Sequence, residues 1–183
     1  MKPEIQGEAN SSADSGGEKV QNKHPGLEKD VIEMASYEFS TSMAVSASRG
    51  DGGAATTGRG KLEPFKFTKN VDSSSMTLAF HAAAGTIFSL VHIRVYASLG
   101  DGGGKEHAPK QIVEMKLTGA VISACEISAG GGDELPTESI TFNYGSIEMK
   151  CQSMIASAED GQITFGPEKR FNWNTITNKG VKA

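Results

Sequence analysis

Along most of this chain apolar and polar residues alternate with a period of two, the pattern of half-buried β-strands. In Val31–Thr41 (VIEMASYEFST), Ala35, Tyr37 and Phe39 share one parity while Ser36, Glu38 and Ser40 share the other, predicting a strand with one wet face. Thr86–Ala97 alternates over Ile87, Val91, Ile93 and Val95. After the glycine-rich LGDGGGKEHAP, strand patterns return at Gln111–Leu117 and Val121–Ile127. A second glycine-rich loop, SAGGGDELP, leads into the cleanest alternation, with Ile140, Phe142 and Tyr144 opposed to Ser139, Thr141 and Asn143. Gly145 reads as a bulge or corner, and Ser146–Ser153 as continued strand. Two short strands are expected around Ile163–Phe165 and Phe171–Ile176, followed by a tail from about residue 178. Residues 8–24 are polar and too poor in apolar side chains to offset the cost of ordering them, so a mobile loop is expected there.

One stretch breaks the period. DSSSMTLAFHAAAG places Met76, Ala79, Phe80 and Ala83 at helical spacing, with Asp72 or Ser73 positioned to cap the first turn and Gly85 where a helix is left. The spacing predicts one amphipathic helix over about Ser73–Ala84 that buries this apolar face. A single helix in a strand-rich chain reads as a plug or flank on a barrel or sandwich.

Composition narrows the function classes. The 183 residues are enough for one domain with a real core. A net charge of −4, with lysines and arginines scattered among acids, supplies no basic stripe for nucleic acid. No apolar run approaches the roughly 20 residues that cross a bilayer, so no membrane insertion is expected. The N-terminal MKPEIQGEANSSADSGGEK lacks an apolar secretory core, which points to a protein made and folded in a cytosol. Cys125 and Cys151 lie inside strand-like apolar stretches and read as buried free thiols.

The chemistry-bearing motifs are few. Arg49–Lys61 (RGDGGAATTGRGK) resembles a phosphate-binding loop only superficially. Arg59 and Gly60 intervene before Lys61, Leu62 stands where a magnesium-binding hydroxyl belongs, and a strand follows where a helix is needed. The Arg49-Gly50-Asp51 tripeptide is three common residues in a glycine-rich loop. A long hairpin loop is the reading that remains, carried by Arg49, Gly50, Asp51, Gly52, Gly53, Thr56, Thr57, Gly58, Arg59, Gly60 and Lys61. His24, His81, His92 and His107 share no metal-ligating spacing; neither cysteine belongs to a CxxC pair. Asp133 and Glu134 are loop neighbours that point apart, and there is no GxSxG elbow. No catalytic, metal or cofactor constellation is visible. A strand-rich body of this kind could be a monomeric small-ligand barrel, a secreted binding module or a subunit that pairs with its own copies. The ligand barrel predicts an enclosed apolar cavity.

Four segments in order resemble the Hcp family, the haemolysin-coregulated tube proteins of bacterial type VI secretion. They are VIEMASYEFS (Val31–Ser40), FKFTKNVDSSSMTL (Phe65–Leu78) with its Lys-x-x-Asp-x-Ser stretch, DELPTESITFNYGSIEM (Asp133–Met149) with Pro-x-Glu, and FNWNTITNKGV (Phe171–Val181). Asn172 departs from the glycine common before the tryptophan. The resemblance implies a mainly β fold, an Hcp-like β-barrel of two sheets with one flanking helix and long glycine-rich loops. It implies a structural rather than catalytic role, as homohexameric rings that stack into an inner tube, and no cofactor. The partners implied are other copies of the chain, the VgrG spike, contractile sheath proteins and small effector proteins in the lumen. The location implied is the cytoplasm of a Gram-negative bacterium, then export by the machine without a signal peptide. On this reading Ser36, Glu38 and Ser40 face the lumen, and the Arg49–Lys61 loop reaches toward the neighbouring ring.

Overall fold

A computed structural model describes residues 31–46, 56–97, 110–131, 135–156 and 163–182. Among these residues are ten strands and one helix: β1 Ser36–Glu38, β2 Thr41–Ser46, β3 Thr56–Leu62, β4 Phe65–Asn70, α1 Ser74–Ala83, β5 Ile87–Ala97, β6 Lys110–Ser128, β7 Thr137–Asn143, β8 Ser146–Ala156, β9 Ile163–Asn174 and β10 Lys179–Lys182. Every strand pairing is antiparallel. The mainly β architecture with one helix is the expected one. The ladder runs β1-β4-β7-β6-β8-β9-β10 with β5 beside β6, and β2–β3 forms a separate ribbon. Among the described residues the ladder stays open, since β1 and β10 do not meet.

The long strand β6 organises everything. Gln111–Leu117 and Val121–Ile127, expected as separate strands, are its two halves. Its first half lies between β5 and β8, and its second half pairs with β7, which continues the line of β8 past Tyr144-Gly145. Gly119 takes a positive φ of 61° at the junction, a conformation that side chains with a Cβ rarely adopt. There the buried parity of β6 switches from Met115 and Leu117 to Ala120 and Ile122. A strand that changes which parity it buries has bent, so two sheet halves close over one core. The facing strand β5 switches at the same place. Phe88 is buried and Ile87, expected inside, is 67% exposed, while Ile93 is buried. Gly145 is the predicted corner, its N–H donating to the Thr118 carbonyl at 3.0 Å.

The core joins Phe65, Phe67, Ile140 and Phe142 of one half to Ile93, Met115, Leu117 and Ile147 of the other, with Leu78 from α1. Stacked and edge-on rings (Tyr37–Phe65, Phe67–Phe142, Phe88–Phe142) run through it.

The helix forms where expected but faces the other way. Met76 is 62% and Phe80 67% exposed, whereas Ser74, Ser75 and Leu78 are buried. Asp72 caps the first turn. Its Oδ1 accepts the Ser74 N–H at 2.9 Å, and its own N–H donates to Ser75 Oγ at 2.9 Å, a reciprocal capping box. Gly85, at φ 61°, ends it as expected: Gly85 N–H reaches the Ala82 carbonyl and Thr86 N–H the His81 carbonyl.

The chain end also differs from expectation. The two short strands are one, β9, and the tail is β10, paired with β9 from Lys179↔Asn174 to Lys182↔Phe171. The turn between them is made by Asn174, whose side-chain oxygen accepts the N–H groups of Ile176 and Thr177, and by Asn178 at φ 55°. Residues 8–24 lie outside the described residues.

Candidate functional site

Strand pairing sorts the half built from β1, β4, β7 and the second part of β6 into two faces. Cross-strand partners place Ser36, Thr68, Ser139 and Glu126 in one row and Glu38, Lys66, Thr141 and Ala124 in the next. Alternation puts both rows on the face away from Phe65, Phe67, Ile140 and Phe142. This face mixes the hydroxyls of Ser36, Thr68, Ser139 and Thr141 with the charges of Glu38, Lys66 and Glu126. Ser36 and Thr68 join their hydroxyls at 2.6 Å. Ser36 and Glu38 therefore lie on a wet face, as the sequence predicts. Ser40 falls outside β1, in the link to β2, where its carbonyl accepts the Glu63 N–H. The expected burial contrast along this segment is weaker than alternation suggested. All of β1 is exposed, Tyr37 by 42%, because a three-residue strand at the sheet margin has a neighbour on one side only.

The stretch read as a loop is partly strand. Thr56, Thr57, Gly58, Arg59, Gly60 and Lys61 belong to β3, with Ser42↔Lys61, Met43↔Gly60 and Ser46↔Thr56 in register. Arg49, Gly50, Asp51, Gly52 and Gly53 lie outside the described residues, as do Asp133, Glu134, His24 and His107.

Behind the wet face, the motif residues converge on a buried ionic knot. Lys69 Nζ, 1% exposed, donates to Glu138 Oε1 at 2.6 Å, Asp72 Oδ1 at 2.6 Å and the Asn70 carbonyl at 2.8 Å. Ser75 Oγ donates to Glu138 Oε1 at 2.8 Å. Burial pushes the Asp72 carboxyl up, but Lys69 and Ser74 outweigh it and hold the group below its ordinary value. This knot explains the helix orientation. A buried Lys–Glu pair needs polar partners, so α1 turns its serine edge inward and leaves Met76 and Phe80 outside. The Lys-x-x-Asp-x-Ser and Pro-x-Glu spacings were visible in the sequence; their meeting was not.

The other half, β5-β6-β8-β9, carries charge on its wet face. Its rows are His92–Lys116–Glu148–Asn172 and Arg94–Glu114–Lys150–Arg170. Glu114 is the hub, with His92 Nε2 at 2.8 Å, Lys150 at 3.0 Å and Lys116 at 3.4 Å. Burial raises its pKa, yet Lys150, His92 and Lys116 outweigh that and bring it down to about 2. Burial, together with Arg94 and Lys116, holds His92 below its ordinary value despite Glu114. An open depression of about 420 Å³ on this side is lined by Lys116, Thr118, Glu148, Asn172 and Asn174 among others. It is not an enclosed apolar cavity.

The depressed Glu114 value has a pH consequence. The carboxylate's folded pKa lies below its ordinary 4.5, so its stabilisation is present above about pH 4.5 and is lost as pH falls toward 2. Between pH 5 and pH 3, Glu114→Gln is expected to lose less stability than the parent chain in urea titrations. Equal losses would contradict this role for Glu114.

Cys151 is exposed rather than buried, and Cys125 is only half-buried. Cys151 has the parity of Ile147 and Met149 but lies past the end of the core. Burial raises the Cys125 thiol above its ordinary value. Among the described residues, no three His, Cys, Asp or Glu side chains gather as a metal set, and no helix is long and apolar enough to cross a membrane.

Residues 4–151 match the family model described as type VI secretion system effector, Hcp. A curated relative, protein hcp1 of Pseudomonas aeruginosa, is 25% identical over 117 residues, covering 64% of this chain and 66% of that protein's length. A solved type six secretion system protein aligns over 99% of this chain and 96% of its own, with TM-score 0.70 and 22% identity. Hcp1 from Salmonella typhimurium aligns over 84% and 86%, with TM-score 0.56 and 13% identity. At these identities the structures share the fold.

Proposed function

This chain belongs to the Hcp family of type VI secretion proteins, and from that premise we propose that it is a structural subunit of the inner tube. Six copies close into a ring, rings stack, and the chain itself is exported with the tube. The observation that carries this reading is the outward apolar face of α1. Met76 and Phe80, four residues apart on one side of the helix, are each more than half exposed, and an outward apolar pair of this kind is a surface that another copy can cover.

A closed ring joins two different faces of each protomer. Strand edges supply candidates: β1 has β4 on one side only, and residues 122–128 of β6 have β7 on one side only, among the described residues. Edges of this kind pair by β-augmentation. The polar face with Ser36, Glu38, Lys66, Thr68 and Thr141 then lines the lumen, near Ser40. Hydroxyls and charged groups hold water and offer no apolar grip, so small effector proteins can ride and leave. The β2–β3 ribbon, Thr41–Ser46 with Thr56–Leu62, reaches toward the neighbouring ring. The VgrG spike and contractile sheath proteins are the remaining partners. The role is structural, not catalytic.

Export tests this reading. A tagged chain is expected in the culture medium of a bacterium with a working type VI machine and absent from the medium of an otherwise identical strain lacking the contractile sheath. Equal release from both strains would overturn it.

A further inference from the structure

The β2–β3 ribbon forms no ladder with the main sheet among the described residues, and a lone two-stranded hairpin is marginal in water. Something at its base must set the direction in which it leaves the body. Beyond the ladder itself, four hydrogen bonds at the base converge on Glu63. Its N–H donates to the Ser40 carbonyl at 3.0 Å, closing the ribbon where the two strands part from the body. Its carboxylate accepts Ser42 Oγ at 2.8 Å and Lys61 Nζ at 2.9 Å, one from each ribbon strand. Its carbonyl accepts the Tyr144 hydroxyl at 2.9 Å. The following Pro64 restricts Glu63 to extended backbone.

Tyr144 is the fixed end of this linkage. It is buried at the corner between β7 and β8 and belongs to the core. Its own carbonyl is held by Thr175 Oγ1 at 2.9 Å, which also reaches the Gly145 carbonyl. The phenol remains a donor through the whole physiological range, since burial and the Glu63 charge push its pKa up to about 12. A rigid corner thus grips the first residue of the ribbon's exit, and that residue's side chain grips both strands.

We infer that Glu63 and Tyr144 are positioning residues that hold the ribbon in the direction needed to dock on the next ring. The inference rests on the ribbon being the ring-stacking element. Holding a docking element in place beforehand reduces the ordering cost of each stacking event, so loss of the grip weakens stacking without touching the docking surface itself.

The test uses the full chain with Tyr144→Phe and, separately, Glu63→Ala. The first deletes only a hydroxyl, and the second alters a partly exposed side chain, so both are expected to fold. Hydrogen exchange is read on ribbon amides and on β6–β7 amides, and stacked-ring length by electron microscopy. Ribbon amides are expected to exchange about five- to tenfold faster in Tyr144→Phe, the effect of one lost hydrogen bond, and at least that much faster in Glu63→Ala, which loses two, with β6–β7 amides unchanged and shorter stacks. Unchanged ribbon exchange in both folded variants overturns the positioning role. Faster ribbon exchange with stacks of full length supports the grip but overturns the ribbon as the stacking element.

Discussion

Replacing Lys69 with Met is expected to cost about 3–5 kcal/mol of folding stability. Lys69 Nζ has three donors, shared among Glu138, Asp72, the Asn70 carbonyl and, at 3.3 Å, Ser75 Oγ. Met fills similar space but leaves the Glu138 carboxylate with only Ser75 as a described partner, and Glu138 Oε2 already has none. A buried charge without its counter-ion must be protonated or hydrated, and either route loosens α1 from β7. Marginal domains have about 5–15 kcal/mol in total, so the variant sits near unfolding. Lys69→Met combined with Glu138→Leu is expected to recover most of the loss, because the Asp72 side chain is 22% exposed and water can reach it. Urea titration decides between the outcomes. A cost below about 1 kcal/mol for the single change would contradict the knot as the lock between helix and sheet.

The second large effect falls on assembly and leaves the fold alone. Phe80→Asp is expected to dissociate rings into folded protomers. Phe80 is 67% exposed, packing edge-on against His81, so a charge there changes the isolated protomer by about 0.5 kcal/mol or less. If the α1 face lies in the proposed ring interface, the same charge is buried there, where losing an aromatic anchor costs about 2 kcal/mol or more. Circular dichroism should match the parent chain while light scattering reports single protomers. Intact rings with Asp at this position would place the α1 face away from the ring interface.

Much of this was legible in the residues. Period-two alternation located β7 and β8, because those strands each have one dry and one wet face, and it put Ser36 and Glu38 on one side of β1, which is exposed throughout. Asp72 and Gly85 marked the helix ends because capping is local chemistry. Helix orientation was not legible. Counting apolar residues put Met76 and Phe80 inside, while a long-range ion pair between Lys69 and Glu138, 69 residues apart in sequence, drew the serine edge inward instead. The same limit applied to Ile87 and Phe88. Their parity depends on a bend that Gly119 makes in a different strand. The last strand was missed because Asn174 and Asn178 were not read as turn residues, although their side chains and backbone make the β9–β10 hairpin. Of the residues expected at a functional surface, Ser36 and Glu38 share a face with Lys66, Thr68, Ser139 and Thr141, a grouping that needed register and not composition.

Light scattering of the purified chain across a wide dilution series tests the proposed function most directly. A particle of six protomers that persists on dilution is the expected result. A single-protomer mass at every concentration would contradict a ring-forming tube subunit.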